Sequence, residues 1–324
     1  MPSWTLVTGG AGYLGSIVVD QLLDRGRSVR VLDSLVHGSV PSLLLALGEK
    51  EFEFVHGDVR DPAARRRALE DVDAVVHLAA IVGDPACSQA PDLASQVNLN
   101  GTIDLLNEAE EAGVQRFLFA STCSNYGKMA GDSALATEDF ELRPVSLYAE
   151  TKVAAEEEVL AHNVNGMHSA CLRFATVYGA SPRMRFDLTV NEFARDASLD
   201  GSLVVYGEQF WRPYVHVRDA ARAICLALEA SDDVVRGEVF NVGETTENYR
   251  KLDLVELLKR RLPRTRVEYV HRDEDPRDYR VSFEKVKTRL GFEAQRCVGD
   301  GIDEVLGLLD SGLLADPYDP IYRN

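Results

Sequence analysis

The stretch Trp4-Thr5-Leu6-Val7-Thr8-Gly9-Gly10-Ala11-Gly12-Tyr13-Leu14-Gly15 decides how this chain is read. Trp4–Thr8 is short and largely apolar, as a strand buried on both faces should be. Gly9, Gly12 and Gly15 follow at the spacing GxxGxxG, one residue longer in its first gap than GxGxxG. Small residues at such a turn let the backbone approach a pyrophosphate, and the next helix points its N-terminus at the negative charge. A helical stretch, Ser16–Asp24, comes directly afterwards, so strand, glycines and helix stand in the order a dinucleotide site needs. Tyr13 and Leu14 lie inside the turn and belong to the same expected contact surface.

Outward from this unit the pattern repeats. Ser28–Asp33, Phe52–His56, Ala74–Leu78, Arg116–Ser121 and Ala170–Phe174 read as further strands, with helix-like segments between most of them. The alternation argues for a parallel sheet covered on both faces. Right-handed crossovers make it a doubly wound, Rossmann-type α/β sheet. Beyond Phe174 the alternation loosens. Helices over Thr189–Leu199, Val217–Leu228, Lys251–Leu262 and Gly301–Asp310, with short strands at Leu203–Tyr206 and Val267–Val270, predict a smaller α/β lobe over the carboxyl ends of the strands. The expected division is 1–173 for the dinucleotide-binding unit, rejoined by roughly 215–242, and 174–324 for a substrate lobe. The cleft is expected at their boundary.

The chain has 324 residues, 45% hydrophobic and 27% charged, ordinary usage for a folded protein and far from that of a disordered one. Lysine and arginine number 35 against 52 aspartates and glutamates, a formal charge of −17. Such a surface repels a phosphate backbone, so neither nucleic-acid nor membrane binding is expected. An anionic ligand then needs a local group of arginines. No apolar run reaches the ~20 residues of a membrane span. The start MPSWTLVTGG reads as the first strand and not as a signal peptide. Cys87, Cys123, Cys171, Cys225 and Cys297 are widely spaced with no CxxC pair. That fits reduced thiols in a cytoplasmic protein, with neither a disulfide framework nor a metal site.

Asp33 ends the second strand, where an acidic residue hydrogen-bonds adenosine ribose hydroxyls. Its charge repels a 2′-phosphate, and Ser34 and Leu35 bring no cation, which favours NAD over NADP; His37 is the one neighbour that complicates the choice. A plain turn role for Asp33 stays open. Asp58-Val59, after the third strand, suits adenine: the carboxylate accepts from the amino group and the valine packs the ring. A capping role for Asp58 is equally open. Leu78, Ala79 and Ala80 end the fourth strand with side chains that admit a cofactor backbone. His77 reads as a buried, satisfied histidine with no chemistry.

Tyr148-Ala149-Glu150-Thr151-Lys152 is a YxxxK pair, both side chains on one helix face. An ammonium near a phenol favours the phenolate and lowers its pKa from ~10, as a general base for a sugar or alcohol hydroxyl requires. Phe119 to Gly127 leaves the fifth strand with hydroxyls at the carboxyl edge of the sheet, where Thr122 is placed to relay a substrate proton. Small polar residues at a strand end are also ordinary loop formers.

Together Gly9, Gly12, Gly15, Asp33, Asp58, His77-Leu78-Ala79-Ala80, Asn98, Thr122, Tyr148 and Lys152 resemble the extended short-chain dehydrogenase/reductases, and within them the nucleotide-sugar epimerases and dehydratases. The resemblance continues through Arg173-Phe174, Val177-Tyr178-Gly179, Arg212 to Asp219 and Phe240 to Gly243. It implies NAD as cofactor, with Asn98 among its contacts, and a nucleotide-diphosphate sugar as substrate. Tyr148 takes the C4 hydroxyl proton, directly or through Thr122, while Lys152 bonds the nicotinamide ribose. An epimerase returns the hydride to the other face of the ketone, and a 4-ketosugar reductase runs only the return half.

Departures sort these activities. Related 4,6-dehydratases carry Thr-Asp-Glu where this chain has Thr122-Cys123-Ser124, so the carboxylate acid and base are missing. Cys123 and Ser124 are then expected to pack or to line the sugar pocket, with an acid or base role at C3 or C5 left open. Thr176 stands where Asn usually contacts the diphosphate. Arg212 matches the family's phosphate-binding arginine, and Arg183, Arg185, Arg277 and Arg280 are further candidates. The reading is an NAD-dependent epimerase, with the reductase as its rival and a non-catalytic NAD-binding protein the most remote alternative. The resemblance also implies a homodimer built from helices at Asn98–Ala112 and from Tyr148 to about His162, with Val153, Ala154 and Leu160 in the seam. Glu156-Glu157-Glu158 speaks against it, because carboxylates near a two-fold axis repel.

Overall fold

The computed structural model describes residues 4–38, 40–129, 135–163, 166–273 and 277–324. Its strands are β1 (Trp4–Thr8), β2 (Ser28–Asp33), β3 (Phe52–His56), β4 (Val72–His77), β5 (Arg116–Thr122), β6 (His168–Phe174), β7 (Thr176–Tyr178), β8 (Ser202–Tyr206), β9 (Trp211–His216), β10 (Glu238–Val242), β11 (Asn248–Arg250) and β12 (Arg266–Val270). The helices are α1 (Tyr13–Asp24), α2 (Pro62–Ala68), α3 (Asp84–Gln89), α4 (Pro91–Ser95), α5 (Gly101–Glu111), α6 (Leu147–Ala161), α7 (Thr189–Leu199), α8 (Val217–Glu229), α9 (Asp232–Val235), α10 (Lys251–Lys259), α11 (Glu284–Leu290) and α12 (Val298–Asp310).

Seven strands form one sheet of order β3-β2-β1-β4-β5-β6-β10, every neighbouring pair parallel. The doubly wound α/β fold is therefore as expected. β1 is buried throughout, and its alternating residues feed two cores. Val7 joins the core with Ile17, Val18 and Leu22 of α1 and Ala220, Ala221 and Ile224 of α8. Trp4 and Leu6 face Ala64 and Ala68 of α2, Leu105 and Ala109 of α5, and Ala155 and Val159 of α6. That period-2 split explains why the strand reads as unbroken apolar sequence. The order turns between β1 and β4, which opens a crevice beyond their carboxyl ends.

After β6 the chain forms β7 and, later, β9 and β11 of a three-stranded sheet, and returns to the edge of the large sheet as β10. β8 and β12 pair separately and in parallel. The helix expected from Asn98 begins instead as a wider π turn over Gln96–Asn100 before α5. The turn points the Asn98 amide at Ile81, which it bonds twice, donor to carbonyl at 2.9 Å and acceptor from N–H at 2.8 Å. Among the described residues no helix is long and apolar enough to cross a membrane.

Candidate active site

The glycine turn is shaped by contacts that no side chain tolerates. Gly9 has φ +71°, and a Cβ on it would lie 2.8 Å from Ala79 N. A Cβ on Gly15 would lie 2.1 Å from the Gly9 carbonyl oxygen, so helix and turn meet at backbone distance. Gly12 precedes α1 without any side-chain cap, leaving the first N–H groups of the helix directed into the crevice. This cradle fits a pyrophosphate.

Asp33 closes the turn from the side. Its carboxylate accepts from Ala11 N–H at 3.0 Å and from Leu35 N–H at 2.8 Å. Burial raises its pKa, and those two N–H groups oppose the rise. Asp58 is held by Arg60 in a 2.7 Å ion pair, and that bond keeps the carboxyl below its usual range. Val59 is buried and Leu78, Ala79 and Ala80 are half-buried along the β4 exit. His77 is satisfied as expected. Thr102 donates to the Asn98 carbonyl, so its oxygen accepts from His77 Nε2–H at 2.9 Å and Thr8 donates to Nδ1 at 2.6 Å. Burial pulls the imidazole down to about 3, which keeps it neutral.

Thr122 caps the 3₁₀ turn Cys123–Tyr126, accepting from Ser124 N–H at 3.1 Å. Tyr148 stands in the first turn of α6, behind the Ser146 cap. One expectation needs correcting. Lys152 Nζ donates to the Ala120 carbonyl oxygen at 2.8 Å and sits 4.6 Å above the Phe119 ring. Its charge is not among those that weigh most on the phenol. Burial pushes the Tyr148 phenol above its ordinary value, and the Arg185 guanidinium is the cation that opposes this. Sharing a helix face brings the two side chains to one side, but the carbonyl at the end of β5 captures the ammonium. Burial lowers Lys152 itself to about 8.

The substrate candidates separate. Arg212 stacks on Tyr279 at 5.4 Å, and the Tyr279 hydroxyl lies 3.4 Å from Ser124 Oγ. Arg280 instead covers Trp211 at 5.0 Å, and neighbouring residues of a strand face opposite ways, so Arg212 and Arg280 fall on opposite faces of β9. Cys123 is fully buried, its Sγ donating to the Arg173 carbonyl, and burial raises the thiol; it sits in the core and not on a pocket wall. Arg185 forks onto Asp187, and Arg183 donates to the Arg323 carbonyl. Thr176 is half-buried at the start of β7. Arg277 pairs with Asp84 at 3.0 Å, and Asp84 also accepts from Ser146, the cap of α6. Tyr279 and Asp84 escaped sequence reading: one is a lone aromatic in a loop and the other a lone acid in the first turn of the short helix α3, and neither carries a spacing motif. Among the described residues no group of three or more metal-ligating side chains comes together.

The NAD dependent epimerase/dehydratase family model matches residues 5–243. The chain belongs to that family. It is 30% identical to a UDP-glucose 4-epimerase of Lactobacillus helveticus over 93% of this chain and 94% of that one. It is 32% identical to a dTDP-glucose 4,6-dehydratase of an Actinoplanes species over 93% and 96%. A Thermus thermophilus UDP-glucose 4-epimerase in complex with NAD superposes with TM-score 0.82 at 28% identity, covering 96% of this chain and all (100%) of that one. A Streptomyces venezuelae dTDP-glucose 4,6-dehydratase with NAD bound reaches TM-score 0.86 at 29% identity, covering 98% and 99%. The cofactor of this epimerase/dehydratase-family chain is accordingly NAD, and the glycine cradle and Asp33 fit it.

Proposed function

We propose that this chain is an NAD-dependent epimerase of a nucleotide-activated sugar, working by transient oxidation at C4. The observation that carries the choice of epimerase is the pair after Thr122. Dehydration needs an acid and a base beside the catalytic threonine. Here those positions hold a core thiol, whose burial raises its pKa, and a serine bonded towards Tyr279. Neither supplies a carboxylate.

Bound NAD supplies hydride acceptance from C4 and hydride return. The chain's own residues do the rest. Tyr148 acts as its phenolate, favoured by the Arg185 guanidinium against the effect of burial. It takes the proton of the C4 hydroxyl, with Thr122 as its relay, becomes the phenol, and gives the proton back when the hydride returns. Lys152 sits on β5 to hold the nicotinamide ribose. Arg212, stiffened by Tyr279, is the principal cation for the diphosphate, since a planar fork matches phosphate oxygens. Gly9, Gly12, Tyr13, Leu14 and Gly15 embrace the pyrophosphate of the cofactor, and Asp33 its adenosine ribose.

The test is incubation of the purified protein, without added NADH, with UDP-glucose, UDP-glucuronic acid and dTDP-glucose, and product identification by NMR. A C4 epimer supports the reading. A 4-keto-6-deoxy product would establish a dehydratase instead, and turnover of a 4-ketosugar only with added NADH would establish a reductase.

A further inference from the structure

α6 is fastened to the end of β5 at two successive levels. Lys152 donates to the Ala120 carbonyl, and one helical turn further the Ser121 hydroxyl donates to Glu156 at 2.7 Å. Ala120 and Ser121 are the two residues before Thr122. Tyr148, Lys152 and Glu156 recur every four residues and so follow one face of α6. Glu156 is 2% exposed and Arg173 of β6 is 4% exposed. Arg173 Nε donates to Glu156 at 3.1 Å, and a second guanidinium nitrogen closes the fork. Arg173 also donates to the Tyr126 hydroxyl and the Glu138 carbonyl, each at 3.0 Å, while Asn125 donates to Ser121 Oγ at 3.1 Å. The ion pair thus grips α6, β6 and the Cys123–Tyr126 turn together.

Stability does not explain such a pair. Desolvating two charges offsets most of their attraction, and apolar replacement of a buried pair is often neutral or stabilising. What directional bonds add over apolar packing is a single allowed register.

We propose that Glu156, Arg173 and Ser121 form a buried clamp that positions the chemistry, holding α6 in one register against β5 and so setting Lys152 relative to Thr122. The proposal rests on Tyr148, Thr122 and Lys152 being the working groups of this site. Glu156 and Arg173 act through their neighbours and touch no reacting atom.

The test removes both charges at once with the double variant E156L/R173M, which avoids stranding a lone buried charge. The readout is the titration of Lys152, followed by NMR of lysines labelled at Cε, in protein whose fold is verified by circular dichroism. Tyr148 on the same face of α6, Cys87 of α3, Cys171 of β6 and His77 of β4 are the neighbouring ionisable groups. All stay in place; Ser121→Ala leaves every charge around them unchanged, and the double variant removes the Glu156 and Arg173 charges that act on Cys171. Wild-type Lys152 should titrate near pH 8. Loss of the clamp admits water to the ammonium and raises that midpoint by about one unit, roughly tenfold in proton affinity. A folded double variant with an unmoved Lys152 overturns the proposal. If the double variant does not fold, Ser121→Ala decides, since it spares the ion pair and removes its link to β5 together with the bond from Asn125. An upward shift supports the clamp, and no shift overturns it. No sugar is involved, so this result is separate from the functional reading, which an active Tyr148→Phe variant would sink instead.

Discussion

Lys152 Nζ lies 2.8 Å from the carbonyl oxygen of Ala120, so its ammonium is seated on β5 and not on the phenol one turn earlier. Burial lowers its pKa from the ordinary 10.5 to about 8. Between those values the unfolded chain binds more protons than the folded one, so this group makes stability rise with pH across that window. Below pH 8 the buried charge costs stability. Lys152→Met, similar in size and uncharged, should therefore be more stable than wild type at pH 7 by on the order of 1–2 kcal/mol, the lost bond to Ala120 offsetting part of the gain. The advantage should shrink steadily from pH 8 to 10. Thermal melts at pH 7, 9 and 10 check this, and a variant less stable than wild type at pH 7 refutes it.

Tyr148→Phe should lose ~10²–10⁴ in turnover while binding NAD almost as tightly as wild type. The phenol oxygen is the assigned proton acceptor, and the ring is kept. Rate measurements on the nucleotide sugar that wild type converts, with calorimetry for NAD, separate the two effects. Retention of most of the activity would remove Tyr148 from the mechanism.

Asp33 presents a carboxylate at the edge of the glycine turn, fixed by two backbone N–H groups. A 2′-phosphate brought there meets like charge. NAD should bind at least about tenfold more tightly than NADP, a difference of ~1.4 kcal/mol. Calorimetric titration of cofactor-free protein with each dinucleotide measures it, and tighter binding of NADP contradicts the role given to Asp33.

The chain should form a homodimer through α5 and α6. Of the three glutamates that argue against this, Glu156 is turned inward to Arg173, and only Glu157 and Glu158 are exposed. Val153, Ala154 and Leu160 are half-buried and available to a seam. A self-complementary helix pair satisfies two-fold symmetry. Light scattering at micromolar concentration should give twice the 35.8 kDa chain mass. A single-chain mass that does not change on concentration rules the dimer out.

Much of this protein is legible in one dimension because its determinants are local. β1, the glycine turn and α1 are consecutive, so Gly9, Gly12 and Gly15 announce their own geometry, and the apolar runs in β4 and β5 follow from strands covered on both faces. Tyr148 and Lys152 are visible as a spacing on one helix. What sequence could not decide is where a side chain finds its partner once distant segments meet. YxxxK says that phenol and ammonium share a face, but only packing against β5 gives the ammonium to Ala120. Cys123 reads as either a packing or a pocket residue, and the turn that buries its thiol against Arg173 decides for packing. Arg212 and Arg280 look alike in sequence, yet β9 separates them because Trp211 and Arg212 point to opposite faces. Glu156 reads as one of three surface glutamates, and becomes a buried partner of Arg173 only because α6 crosses β6 at that turn. Local spacing sets the elements; burial and the pairing of distant charges set which side chains work together.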